Sequence, residues 1–265
     1  MDQNSLCDTW GEALARWAIP DEILAKATKS PWQLSPEMFG PISDRALTPT
    51  VSKVRQLLDG TEDVSSKSVL DVGCGAGAVS LLLLDHVVSL TGVDASQSML
   101  DAFESGFQRA NPSAVDLRLI CGAWLSAFEA AGKAGVVICA NVLYNVPTPC
   151  EFILRLDDAA TLGVVIEIHE RHPHSTANAA WKYFWGIDRP TRPTGEDLVE
   201  IVKSLGIAAQ SETFVRDPEF EVDEAMVRSI RERVCLDASR DEEIRNFLVR
   251  NPPAPPRSRV IWWTK

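Results

Sequence analysis

A glycine-rich turn between an apolar strand and a helix is the feature that most constrains this fold. The segment Val69–Ala78 reads VLDVGCGAGA, in which Asp71 interrupts the apolar run and three glycines alternate with small residues. Glycine lets the backbone come close to a ligand, and a helix start offers free N–H groups. A second apolar run ends at Asp94, an acid placed to bind ribose hydroxyls. This order of elements predicts a nucleotide site in a parallel α/β sheet.

The turn fits two classes of cofactor. Read permissively, Gly73–Ala78 satisfies the G-x-G-x-x-G/A pattern of dinucleotide-binding proteins. Asp71 favours S-adenosylmethionine instead, because a carboxylate two residues before the first glycine can organise the turn and face a ligand ammonium. Closely spaced glycines also suit a ligand without a pyrophosphate. We expect S-adenosylmethionine, which leaves as S-adenosylhomocysteine. The alternatives are an NAD(P)-dependent oxidoreductase and a turn that binds no ligand.

Composition narrows the possible partners. Acidic residues outnumber basic ones, 37 to 26, and no run of Lys and Arg offers a face to nucleic acid. No apolar run reaches membrane-spanning length, and residues 1–5 lack the features of a signal peptide. The six cysteines form no C-x-x-C pair, which indicates reduced thiols. We expect a cytoplasmic monomer or homodimer acting on a small molecule, without nucleic acid or membrane partners.

Strands and helices alternate after residue 60. Predicted strands cover 68–72, 87–93, 116–120, 135–140, 162–168, 207–214 and 259–263, and an α-helix is expected at 78–84. The pattern is typical of a doubly wound, seven-stranded, mostly parallel α/β sheet with a Rossmann-like fold. We therefore divide the chain into a helical N-terminal cap, residues 1–60, and a Rossmann-like domain, residues 61–265.

Two long connections, 169–193 and 215–256, leave the carboxyl edge of this predicted sheet. Ligands bind at that edge in open α/β sheets, and long loops there are usually functional. We expect these insertions to form a substrate lid together with the N-terminal helices. The alternative is solvent-exposed decoration.

Three segments resemble motifs of the class I S-adenosylmethionine-dependent methyltransferases, over residues 40–168 and again from 194 onward. Asp71–Gly77 is similar to their glycine loop, Gly92–Leu100 to their ribose-binding turn, and Val136–Val146 to their fourth strand and the loop beside the transferred methyl. Other stretches resemble an actinobacterial-type subgroup of small-molecule methyltransferases, whose substrate the resemblance does not specify. These are Ser30–Trp32, Tyr144–Pro147, Glu170–Pro173 and Trp185–Thr191.

The resemblance implies a cofactor site of eleven residues. They are Asp71, Gly73, Cys74, Gly75 and Gly77 at the methionine end, Asp94, Ala95 and Met99 at the ribose, Ala123 and Trp124 at the adenine, and Asn141 near the sulfonium. The family usually places an acid after the third strand, where this chain has Ala123 and Trp124. Trp124 could stack on adenine, offer its backbone N–H, or belong to the core.

Candidate catalytic residues cluster after the fifth strand. Methyl transfer needs alignment and exclusion of water, and a general base only if the acceptor must lose a proton. His169 or His172 is the first choice for that base and Glu167 the second; a structural polar loop is the alternative. A metal site is a further alternative, but the loop at Pro173 offers no rigid ligand spacing, so we expect none.

The substrate-binding candidates are Trp32, Tyr144, Arg171, Trp181 and Trp185, and Tyr144 is also a catalytic candidate. Dense aromatics either pack a lid or line a pocket for a planar acceptor. Tyr144 follows Asn141 at the N-x-x-Y spacing of nitrogen methyltransferases, but both prolines of that motif are missing, so a pocket wall is the preferred interpretation. Arg171 is also the expected partner of Glu167, since a buried acid needs one. A cofactor-binding sensor without catalysis is the non-enzymatic alternative.

Overall fold

The computed structural model describes residues 3–32, 48–112, 114–215 and 222–265. Within them, seven strands form one sheet in the order β3-β2-β1-β4-β5-β7-β6. β7 is antiparallel to both neighbours and the other strands run parallel. The strands are β1 Ser68–Val72, β2 Ser89–Asp94, β3 Asp116–Cys121, β4 Ala134–Ala140, β5 Ala160–His169, β6 Gln210–Val215 and β7 Arg257–Thr264. The predicted doubly wound, mostly parallel fold is confirmed.

Helices cover both faces of the sheet and the loops at its carboxyl edge. They are α1 Gln3–Ala15, α2 Asp21–Leu24, α3 Pro49–Asp59, α4 Gln97–Ala110, α5 Trp124–Ala131, α6 Pro149–Ala159, α7 Asn178–Trp185, α8 Gly195–Ser204, α9 Glu224–Arg233 and α10 Asp241–Arg250. The expected α-helix at 78–84 is wrong: the chain forms a 3-10 helix, Ser80–His86. That tighter spiral brings Leu81 against Gly77 and Gly106, where a side chain on either glycine would clash.

Three apolar cores hold these layers together. Two lie on opposite faces of the sheet. The third joins Ile19 and Ile23 to α7, α9 and α10, and so unites the N-terminal segment with both long insertions. Residues 1–2 and 33–47 of the predicted cap, and 216–221 of the predicted lid, lie outside the described residues. That this assembly acts as a substrate lid remains a prediction.

One pair of cysteines departs from the expected reduced thiols. Cys7 of α1 and Cys150 of α6 form a disulfide, with their Cα atoms 6.1 Å apart. They are 143 residues apart in sequence and meet because α1 packs on α6. No local spacing encodes such a pair, so the sequence could not predict it.

Candidate active site

The glycine turn has the backbone conformation that its sequence requires. Gly73, Gly75 and Gly77 have φ angles of 69°, 52° and 83°, in the left-handed region that side chains disfavour. A Cβ atom on Gly73 would lie 2.3 Å from Cγ2 of Val142. The backbone N–H groups of Gly73 and Cys74 donate to the carbonyl of Val93, at 2.7 and 3.1 Å. The turn is therefore tied to β2 and packed under the loop that follows β4.

Asp94 completes this turn. Its Oδ2 accepts the Gly75 backbone N–H and its Oδ1 accepts the Ser96 N–H, each at 2.9 Å. Each carboxylate oxygen keeps a second lone pair, so Asp94 can also accept hydrogen bonds from a ribose. Ala95 is exposed just before α4, and Met99 is half-buried in its first turn.

Three carboxylates share one face of the sheet at its carboxyl edge. Asp71 aligns with Gly92 on β2, and Ala140 aligns with Glu167. Because side chains alternate along strands, Asp71, Asp94 and Glu167 project to the same side. Asp71 is buried, and burial, aided by the negative charge of Asp94, raises its pKa to about 7. Negative charge at this edge of the sheet favours a cationic ligand over a pyrophosphate.

Glu167 has different partners from the one expected. The Thr50 hydroxyl donates to its Oε2 at 2.6 Å, and Asn141 Nδ2 donates to its Oε1 at 3.3 Å. Arg171 is exposed and forms an isolated β-bridge with Thr194 instead, so the predicted Arg171–Glu167 pair is wrong. With both carboxylate oxygens accepting from neighbours and 1% of its surface exposed, Glu167 is a poor general base.

Tyr144 and His169 meet at the end of β5. The buried Tyr144 hydroxyl donates to the His169 carbonyl at 2.8 Å, and its ring stacks on Trp10 at 5.7 Å. Burial raises the pKa of Tyr144, so its hydroxyl remains protonated at neutral pH. The His169 ring is half-buried, with Nδ1 3.3 Å from the Ser258 hydroxyl. Among the predicted bases His169 has the most accessible ring.

His172 is held by packing rather than presented to a ligand. Its ring stacks on Trp17 at 4.1 Å, and its Nδ1 accepts the backbone N–H of His174 at 3.2 Å. Burial and the charges of Arg189 and Arg233 lower its pKa to about 4. A neutral, enclosed imidazole with so low a pKa is a weak base at neutral pH, which argues against the predicted catalytic role.

The predicted aromatic contacts divide between core and surface. Trp124 is buried, and its indole N–H donates to the Phe152 carbonyl at 3.3 Å, which contradicts stacking on adenine. Of the adenine contacts expected of Trp124, only its backbone N–H is left. Trp181 is a core residue of the third cluster, and the Trp185 N–H donates to Val234. Trp32 is 42% exposed beside His174. Trp181 therefore does not line an open pocket.

Cys74 and Ala123 have only backbone roles to offer. Cys74 is buried, and burial raises the pKa of its thiol, so it is not a nucleophile. Ala123 is the N-cap residue of α5, without a side-chain hydrogen bond.

Within the described ranges no group of three His, Cys, Asp or Glu residues could hold a metal ion. No described helix has the length and apolar character needed to cross a membrane.

Thr50, Trp17 and Val142 are site residues that the sequence reasoning missed. Thr50 lies four residues before Val54 on the buried face of α3, so a polar residue on an apolar helix face was the available signal. Trp17 fits a helical apolar pattern, and Val142 follows the positive-φ residue Asn141, but nothing in their spacing indicates their partners.

Comparison with known proteins agrees with this geometry. Residues 69–156 match the family model of a methyltransferase domain. The ubiquinone biosynthesis O-methyltransferase of Pseudomonas paraeruginosa is 35% identical over 96 residues, 36% of this chain and 40% of that protein. That of Coxiella burnetii is 27% identical over 141 residues, 53% of this chain and 57% of that protein. The chain thus spans about half the length of these curated relatives or less.

Two solved structures share the architecture. Magnesium protoporphyrin IX methyltransferase from Synechocystis PCC 6803, with bound SAH, has a TM-score of 0.53 at 16% identity and covers 82% of each chain. The YcgJ protein of Bacillus subtilis has a TM-score of 0.53 at 14% identity, covering 81% of this chain and 98% of that one. The fold is that of a class I methyltransferase.

Proposed function

We propose that this protein is an S-adenosylmethionine-dependent methyltransferase that acts on a small molecule. The observation that carries the proposal is the acidic setting of the glycine turn, with Asp71 and Asp94 on the same face of the sheet. S-adenosylmethionine brings a sulfonium and an ammonium, which carboxylates attract. A dinucleotide brings a pyrophosphate, whose negative charge the carboxylates repel. The family-model match to a methyltransferase domain supports the same choice.

Each part of the site has a role in this function. Asp71 and the amides of the glycine turn hold the methionine end, and Asp94 binds the ribose. Ala123 and the backbone N–H of Trp124 border the adenine, in place of an acidic side chain. The loop after β4, from Asn141 to Tyr144, flanks the sulfonium and the acceptor. The protein then aligns the acceptor with the methyl and excludes water.

His169 is the proposed general base for an acceptor that must lose a proton. It ends β5 at the edge where the cofactor binds, and its half-buried ring is oriented by Ser258. The segments of the third core would cover the acceptor, with Tyr144, Trp32 and Trp185 as contacts. We propose a cytoplasmic protein, monomeric or homodimeric, of the actinobacterial-type subgroup.

Calorimetric titration tests the cofactor. S-adenosylhomocysteine should bind the wild type in the micromolar range typical of enzyme ligands, and NADH should not bind. Asp94→Ala should bind S-adenosylhomocysteine at least about tenfold more weakly, since it loses contacts to a charged acceptor. Asp116→Ala, an exposed acid on β3, is the matched control and should bind like the wild type. Binding of NADH in place of S-adenosylhomocysteine would refute the proposal.

A further inference from the structure

We propose that Thr50 and Glu167 are positioning residues, which hold Asn141 in the backbone conformation that shapes the cofactor pocket. The inference rests on the proposed function and concerns the same site. It reassigns Glu167 from a candidate base, and it assigns Thr50, on a helix before the sheet, a role in cofactor binding. It also turns the side chain of Asn141 away from the ligand and toward Glu167.

Asn141 has a conformation that must be held. Its φ angle is 61°, in the left-handed region, which asparagine tolerates better than most residues but does not prefer. Two hydrogen bonds to one residue stabilise it. Its backbone N–H donates to the Glu167 carbonyl at 2.7 Å, and its Nδ2 donates to the Glu167 Oε1 at 3.3 Å. Glu167 therefore accepts hydrogen bonds from both the main chain and the side chain of Asn141.

The turn at Asn141 sets the position of the next residue. Val142 lies over the glycine turn, with Cγ2 2.3 Å from the point where a Cβ on Gly73 would stand. Any rotation at Asn141 would move Val142 into or away from this close contact. The shape of the pocket at Gly73 thus depends on Asn141, and through Asn141 on Glu167.

Thr50 fixes the other side of the same carboxylate. It is fully buried in the first turn of α3, and its hydroxyl donates to the Glu167 Oε2 at 2.6 Å. A carboxylate buried on a central strand is costly unless its oxygens accept hydrogen bonds. The donors Thr50 and Asn141 lie at opposite oxygens, so that together they fix the plane of the carboxylate. Without the Thr50 hydroxyl one of these two hydrogen bonds is lost, and the hold of Glu167 on Asn141 weakens.

Calorimetric titration with S-adenosylhomocysteine separates positioning from general stability. Thr50→Val replaces the hydroxyl by a methyl group. It should weaken binding by up to about tenfold, because the Asn141 turn that this hydrogen bond helps to order in the free protein must then be ordered on binding. Thr50→Ser keeps the hydroxyl and should bind within about twofold of the wild type. Val54→Ala is the matched control, because it empties the same buried face of α3 without touching Glu167. It should lower the melting temperature and leave the affinity unchanged.

Wild-type affinity in Thr50→Val, or equal weakening in Val54→Ala, would overturn the inference. Failure of the wild type to bind S-adenosylhomocysteine would instead refute the proposed function, so the two failures can be told apart.

A second pair of variants tests Asn141 without depending on Thr50. Asn141→Gly adopts a φ of 61° without strain, whereas Asn141→Ala is strained there. If the asparagine acts by holding the turn, Asn141→Gly should bind S-adenosylhomocysteine within about threefold of the wild type and Asn141→Ala about tenfold more weakly. Equal losses in the two variants would mean that the side chain contacts the ligand directly, and would overturn the inference.

Discussion

Replacing the Asp71 carboxyl by an amide should stabilise the ligand-free protein while it weakens cofactor binding. Asp71 is 2% exposed on β1, in the centre of the sheet, and burial raises its pKa from 3.8 to about 7. The protein therefore carries a carboxyl group that the fold itself disfavours in its charged form. An amide has nearly the same shape and no charge, so Asp71→Asn removes this cost together with the negative charge that we propose faces the cofactor.

The magnitude follows from the change in pKa. The folded state keeps the Asp71 proton at pH values where the unfolded chain, with a pKa near 3.8, has released it. The stability contributed by this group is therefore complete below pH 3.8 and is lost as the pH rises through about 7. Each pKa unit corresponds to about 1.4 kcal/mol, so ionised Asp71 costs about 4 kcal/mol at pH 8. Between pH 5 and pH 8 the advantage of Asp71→Asn should grow by about 2–3 kcal/mol.

Urea unfolding of both proteins across this pH range measures the difference directly. Subtraction of the wild type from the variant cancels the other titrating groups, and the asparagine itself does not titrate. Asp116→Asn, exposed on β3, is the control for the loss of a surface carboxylate. In the same range the wild type should bind S-adenosylhomocysteine more tightly as the pH rises, and Asp71→Asn should not. A pH-independent stability difference for Asp71→Asn would refute this reasoning.

Three further outcomes are expected. Gly73→Ala should weaken S-adenosylhomocysteine binding by more than about tenfold in calorimetry, because its methyl would meet Val142 at a disfavoured φ; unchanged affinity would contradict the proposed turn geometry. As the pH falls from 6.5 to 4, the wild type should lose unfolding free energy, because the pKa of His172 is lowered to about 4 and only the unfolded chain takes up the proton. In urea titrations His172→Phe should lose less over the same range; an equal pH dependence in the two proteins would count against the buried, neutral His172. Cys7→Ser should lower the unfolding free energy by about 3–5 kcal/mol without reductant and much less with it; equal effects in both buffers would speak against the Cys7–Cys150 disulfide.

Local chemistry accounts for the parts of the fold and site that were predictable. The alternation of apolar strands with helices gives the order of the elements, and all seven strands were located to within about three residues, in line with the usual uncertainty of boundaries. The β6 strand, predicted from Ile207, begins at Gln210. The glycine turn and Asp94 were recognisable because their function depends on residues a few positions apart on consecutive elements.

The expectations that failed concern residues whose partners are distant in the chain. His169 and His172 are three residues apart and looked equivalent, but Trp17, brought across by the N-terminal segment, encloses only the second. Trp124 follows the third strand, where the family binds adenine, yet its indole lies in the core and donates a hydrogen bond to the Phe152 carbonyl of α6. Glu167 was expected to pair with nearby Arg171 and instead meets Thr50, 117 residues earlier.

The sequence by itself determined the sheet, the glycine turn and the acids beside it, because strand periodicity and glycine conformation act over a few residues. Only the tertiary structure decided which of the polar side chains are buried, which carbonyls and carboxylates they meet, and hence which can react. Burial and charge depend on neighbours in space, and packing of α1, α3 and the long insertions brings those neighbours from distant parts of the chain.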